Sequence, residues 1–168
     1  MAVNVPAMAS HHDFDFIFGR WSVHNRKLVD TTDPTCTEWV EFDAVSTVAP
    51  ILEGIGHTDE MVVPAPVDGG PPFVGFTLRL FDPTDETWRI WWSSTRVPGV
   101  LDTPQVGRFE GSHGTFDAVD TIGGRPAVVR FEWLADQPGG PLWQQSFSYD
   151  DGATWGLNWQ MQFTPLAS

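Results

Sequence analysis

The chain has 168 residues, with 9 Lys+Arg against 22 Asp+Glu, a formal net charge of −13 and a pI near 4.4. That balance excludes polyphosphate partners, nucleic acid among them, because phosphate contacts need clustered cations and Lys27 is the only lysine. One cysteine, Cys36, excludes internal disulfides and cysteine-based zinc sites, and 41% apolar with 13% aromatic residues excludes disorder. The length suits a single domain with a sizeable core. The aromatic surplus is tryptophan, 9 residues against 1 Tyr. The first ten residues lack a basic n-region and an apolar h-region, and no apolar run approaches the roughly 20 residues of a spanning helix. The expectation is a cytoplasmic protein with no membrane partner.

In chain order, residues 1–12 read as a mobile tail and residues 13–168 as one β-barrel domain. Residues 13–19 (DFDFIFG) suit a short helical turn. Strand alternation then dominates. Residues 20–29 alternate Trp21 and Val23 with Ser22 and His24, and residues 36–48 alternate Phe42 and Ala44 with Glu41 and Asp43. Residues 52–63 hold Gly54 and Gly56, which predict a bulge or sharp bend. Residues 64–72 (PAPVDGGPP) are a loop within the domain. Strands over 73–81 and 87–95 flank a hairpin turn at 82–86, and 96–104 form a Pro/Gly connection. Strands over 105–110 and 115–122 flank the turn at 111–114. Gly123-Gly124 is a two-residue hairpin signal leading into 125–134. Strands over 142–149 and 154–163 complete the set. About ten strands joined by hairpin-length turns predict an all-β, antiparallel up-and-down barrel.

Phe14-Asp15-Phe16-Ile17-Phe18-Gly19-Arg20-Trp21 places a Gly-x-Trp pair at the start of the first strand, after a helical turn. This resembles the N-terminal signature of the calycin superfamily, the lipocalins and fatty-acid-binding proteins. The wider chain is similar to a bacterial group of uncharacterised lipocalin-like proteins. The features carrying that likeness are Leu52-Glu53-Gly54-x-Gly56-x-x-Asp59-Glu60, Arg79-Leu80-Phe81-Asp82-Pro83, and the tail from Ser146-Phe147-Ser148 through Asn158-Trp159-x-Met161. The resemblance implies that Trp21 closes one end of a barrel that holds a small ligand. Lipocalins usually lay an Arg or Lys of a late strand over that Trp; residues 154–163 have neither, which leaves Arg130 or Arg108 for the role. Ser148-x-Asp150-x-Gly152-x-Thr154-Trp155 fits the Asp-box hairpin of sialidase propellers. A propeller needs several copies and this chain has one, so the expectation is a stabilised hairpin.

A barrel of this size leaves room for one small ligand. Apolar parity places Phe42, Phe76, Leu78, Trp88, Ile90, Trp92, Phe109, Phe116, Phe131, Trp133, Phe147, Trp159 and Met161 inside, with Asn25 beside Val23. His57 and Asp59 stand two apart on one strand face, where a carboxylate orients an imidazole as a general base; Gly54 and Gly56 beside them admit a close ligand. The alternative is a rim histidine beside solvated acids. Arg79, Arg108 and Arg130 either anchor a ligand oxygen from an inner face or pair with acids on the outer one. Gln144, Gln145 and Asn158 orient a ligand head or cap ladder groups. The candidate ligand-binding set is Asn25, Phe42, Arg79, Trp88, Trp92, Trp133, Trp143, Gln145, Trp159 and Met161, and the candidate catalytic pair is His57 and Asp59. His57-x-Asp59 has no second inward histidine, so neither metal nor cofactor is expected. Three functions compete: a binder of a small hydrophobic or aromatic metabolite; a cofactor-free cyclase, isomerase or lyase using His57; and a filled barrel that forms a homodimer through outer Trp39 and Trp91.

Overall fold

The computed structural model describes residues 8–65 and 70–167. Part of the predicted tail and residues 66–69 of the 64–72 loop lie outside the described residues. Ten strands follow in order: β1 (Gly19–Leu28), β2 (Trp39–Ile51), β3 (Gly56–Val63), β4 (Phe73–Asp82), β5 (Thr87–Ser94), β6 (Gln105–Glu110), β7 (His113–Ile122), β8 (Arg125–Leu134), β9 (Leu142–Ser148) and β10 (Gly156–Pro165). Each pairs antiparallel with its sequence neighbour, and β1 also pairs with β10, so the meander closes into an up-and-down barrel. Closure leaves no sheet edge unpaired. Trp21 sits opposite Pro165 across the closing seam and opposite Ser46 on β2. Among the described residues no helix is long and apolar enough to cross a membrane.

Burial alternates along the strands as a half-buried pleat requires. β1 buries Trp21, Val23 and Asn25 and exposes His24 and Arg26. On the outer face His24 Nδ1 lies 2.8 Å from the Asp43 carboxylate, and the Arg26 guanidinium lies 4.0 Å from the Trp39 ring centre. Trp39 and Trp91 are half-buried rather than exposed. β2 begins at Trp39 and not at residue 36, because Asp30 and Asp33 each fold the preceding segment into a local turn. Their carboxylates accept the backbone N–H of Thr32 and Thr35 at 2.8 Å each. β7 begins at His113, so the β6–β7 hairpin has only Gly111 and Ser112 in its loop.

The expected bend near Gly54 is a 3-10 turn, Leu52–Gly54, joining β2 to β3. Gly54 takes φ +90° there, while Gly56 serves packing between strands. A Cβ on Gly56 would lie 2.6 Å from Leu80 Cδ2 and 2.9 Å from the Arg79 carbonyl. Gly56 therefore lets β3 lie close to β4, and neither glycine lines the cavity.

The parity expected for β4 is reversed. Gly75 and Arg79 are buried, whereas Phe76 and Leu78 face outward, opposite Ser93 and Trp91. Apolar side chains occupy both faces of this strand, so alternation alone does not fix its direction. Pairing does, by setting Arg79 between His57 on β3 and Ile90 on β5.

The N-terminal segment plugs one end of the barrel, here called lower. The Ser10 N–H donates to the Asp13 carboxylate at 2.9 Å, and residues Asp15–Ile17 form a 3-10 turn. Phe14 and Ile17 are fully buried. Trp21 Nε1 donates to the Ile17 carbonyl at 2.7 Å and the ring packs edge-on against Phe163. Neither arginine expected over Trp21 goes there. Arg130 forms a two-point contact with Asp117 and stacks on Trp155, while Arg108 donates to the Asp85 carbonyl. The Asp-box segment is the stabilised hairpin expected. Asp150 accepts from Ser148 Oγ and from the Thr154 N–H, each at 2.8 Å, and Trp155 Nε1 donates to the Gly152 carbonyl at 3.1 Å.

Candidate functional site

The barrel interior divides into a solid aromatic lower layer and a cavity above it. Phe14 is the centre of the lower layer. Its ring lies 4.9 Å from Trp88, 4.9 Å from Phe109, 5.6 Å from Phe116 and 5.0 Å from the His57 imidazole. Trp88 Nε1 reaches the Asp13 carboxylate at 3.4 Å, which ties the plug to β5. Above this layer lies a cavity of about 150 Å³. Its floor carries Arg79, Asp59 and Trp133; its walls are Met61, Trp92, Phe131, Trp143, Trp159 and Met161. Asp102, on the β5–β6 connection, lines the upper end and is itself exposed, which places the mouth there. Partial burial of the carboxyl at the cavity rim and the nearby Asp120 push the Asp102 carboxyl up.

The walls are built from edge-on aromatic contacts, the arrangement that ring quadrupoles favour. Trp143 meets Phe131 at 5.0 Å and Trp159 at 5.5 Å. Trp159 Nε1 is satisfied by Asn25 Oδ1 at 2.9 Å, and Gln145 Nε2 by Asn158 Oδ1 at 2.8 Å. Asn158 is available because the β9–β10 register shifts between Leu157 and Trp159. That irregularity puts the Asn158 amide and the Trp159 indole side by side on β10.

The floor is polar and almost wholly buried. Arg79 is 4% exposed and Asp59 6%. Arg79 Nη2 lies 3.5 Å from Asp59 Oδ2, and Ser46 Oγ donates to Asp59 Oδ1 at 2.7 Å. The guanidinium carbon lies 5.3 Å from the Phe14 ring centre and 5.4 Å from that of Trp133. Burial pushes the Arg79 guanidinium down, and the Asp59 charge opposes that. Three buried donors here have no partner among the described residues: Arg79 Nε, Arg79 Nη1 and Trp133 Nε1.

The expected pairing of Asp59 with His57 does not form, since the carboxylate is turned to Ser46 and Arg79. His57 lies below the cavity without lining it, flanked by Phe14, Phe18 and Trp88. Burial, reinforced by the Arg79 charge, pushes its pKa down to about 2. The imidazole is therefore neutral at physiological pH.

Of the candidate ligand-binding residues, Arg79, Trp92, Trp133, Trp143, Gln145, Trp159 and Met161 line the cavity. Asn25, Phe42 and Trp88 do not: Asn25 holds Trp159 from behind, Phe42 packs on the core, and Trp88 lies in the lower layer. Sequence reasoning missed Met61, Gly75, Thr77, Asp102 and Phe163 as lining residues. Met61 was within reach, being two residues beyond Asp59 on the same strand face. Thr77 fell with the reversed parity of β4, and Asp102 belongs to a connection whose path no periodicity encodes.

A wider hollow of about 560 Å³ lies at the upper end, between the β1–β2 connection and the β9–β10 hairpin. Its fully buried polar member, Asn158, is already bonded to Gln145. Among the described residues no three His, Cys, Asp or Glu side chains converge as metal ligands. No protein-family model matches the chain, and no curated protein matches it either.

Proposed function

We propose that the barrel binds a small hydrophobic or aromatic molecule in the cavity above the Phe14 layer. The observation carrying this reading is the cavity itself, about 150 Å³ walled by indole, phenyl and thioether groups. Apolar cavities of that size take up a single aromatic ring, as engineered protein cavities of similar volume do. The likeness of the Gly19-x-Trp21 start to the calycins supports the same reading, since that likeness implies a barrel closed at one end and loaded from the other. The enzymatic alternative has less behind it. An imidazole with a pKa near 2, held away from the cavity, is a feeble general base.

Methyl NMR tests the proposal. The chain has 4 Met, of which Met61 and Met161 line the cavity and Met8 is exposed in the N-terminal segment. With ¹³C-methyl methionine and toluene as probe, the Met61 and Met161 signals shift on titration and the Met8 signal stays. Unmoved Met61 and Met161 signals with toluene in excess would overturn the reading.

A further inference from the structure

We propose that the molecule this cavity takes is a single-ring aromatic compound bearing one uncharged acceptor oxygen, such as an aryl ketone, aldehyde or amide. The oxygen is held at the floor by Arg79 and Trp133. This rests on the reading of the barrel as a binder of small aromatic molecules and specifies its ligand class.

Three observations carry it. The first is the chemistry of the unpartnered groups. Among residues that line the cavity, the buried unpartnered side-chain atoms are Arg79 Nε, Arg79 Nη1 and Trp133 Nε1, all donors; His57 Nε2, also unpartnered, lies below the cavity. Leaving a buried donor unmade costs the full desolvation of that group, so the floor selects for an acceptor atom. A hydrocarbon leaves all three donors unsatisfied, and a ligand hydroxyl reaches them only through its oxygen.

The second observation is charge. Arg79 already faces Asp59 at 3.5 Å, and Asp102 stands at the mouth. The groups lining the cavity therefore carry one positive and two negative charges. A ligand carboxylate would bring a further negative charge into a buried space whose arginine is already compensated. Lys27 stands opposite Trp159 across the β1–β10 seam, its Nζ 4.3 Å from that ring centre, and does not line the cavity. A carbonyl oxygen accepts from the same donors without adding charge. The third observation is volume, since about 150 Å³ holds one ring with a small substituent and excludes a long acyl chain.

The test is calorimetric titration of the protein at pH 7.5 with three probes of one ring each: toluene, acetophenone and benzoate. Acetophenone is expected to bind about tenfold tighter than toluene, as a hydrogen bond from a charged donor implies. Benzoate is expected to bind more weakly than acetophenone. Trp133→Phe lowers the acetophenone-to-toluene affinity ratio several-fold. Arg79→Met on its own strands Asp59, so it is made together with Asp59→Asn, and that double variant lowers the ratio further. Equal binding of toluene and acetophenone, or benzoate as the tightest probe, overturns the inference while leaving the binding function standing. So does a ratio unchanged in both variants. Failure of all three probes, toluene included, removes the binding function itself.

Discussion

His57 shows how one residue changes role with its surroundings. In the chain it stands two positions from an aspartate, the spacing of an acid–base pair. In the barrel Asp59 is turned away and the ring is packed among Phe14, Phe18 and Trp88, where imidazolium is expelled by desolvation and by the Arg79 charge. The consequence is thermodynamic. A histidine with folded pKa near 2 and ordinary value 6.5 binds its proton only in the unfolded chain between those limits. Its contribution to stability is fully present above pH 6.5 and is lost as the pH falls below that. At pH 5 the loss is about 2 kcal/mol, from 1.36 kcal/mol per pH unit. Asp30, Asp82, Asp85 and Asp150 have carboxyls held below the ordinary value by hydrogen bonds to nearby threonines, so they titrate below pH 5, while the raised Asp102 carboxyl acts in the opposite sense to His57. Urea unfolding at pH 7.5 and pH 5 measures the effect, and His57→Leu abolishes most of the difference. A wild-type midpoint that does not move between those pH values would show that the imidazole is not held neutral.

At the scale of elements, the N-terminal turn does more than precede the first strand. It carries Phe14 into the barrel, where the ring contacts residues of β3, β5, β6, β7 and β8 at once. It is both the base of the cavity floor and the joint between opposite walls. Phe14→Ala removes a fully buried ring from a packed layer and is expected to cost about 3–5 kcal/mol in urea unfolding. The same change deepens the cavity, so larger probes such as naphthalene gain affinity relative to toluene. A cost below about 1 kcal/mol would mean that the turn caps the barrel without supporting it. The β9–β10 hairpin works locally by contrast. Asp150, Ser148 and Thr154 satisfy one another within a few residues, and that is why a short motif was enough to identify it.

On the scale of the molecule, closure is the event that cannot be local. The Trp159 indole bonds to Asn25, 134 residues away along the chain, across the β1–β10 seam that joins the two ends of the meander. All-β barrels, whose strand pairings are non-local, fold slowly, in roughly milliseconds to seconds. Stopped-flow refolding from urea, followed by tryptophan fluorescence, is expected to fall in that range; completion in microseconds would count against closure as the limiting step. The charge of −13 acts at this scale too. Many of the acids stand at turns and on outward strand positions, where they favour solubility without specifying a partner.

What the sequence determined by itself was the strand count, the hairpin order and the up-and-down barrel. These follow from period-2 alternation and turn residues, both of which act between neighbours in the chain. The same short-range logic found Trp133, Trp159 and Met161, which parity placed inside and which line the cavity. Only the tertiary structure decided the direction of β4, because Phe76 and Leu78 are as apolar as a core face and pairing with β3 and β5 overruled them. It alone decided that Asp59 answers Arg79 and Ser46 instead of His57, since three strands must meet before that carboxylate has a choice. The unpartnered donors of Arg79 and Trp133 belong to the same class of fact. A side chain lacks a partner only with respect to everything packed around it, and that is settled when the barrel closes.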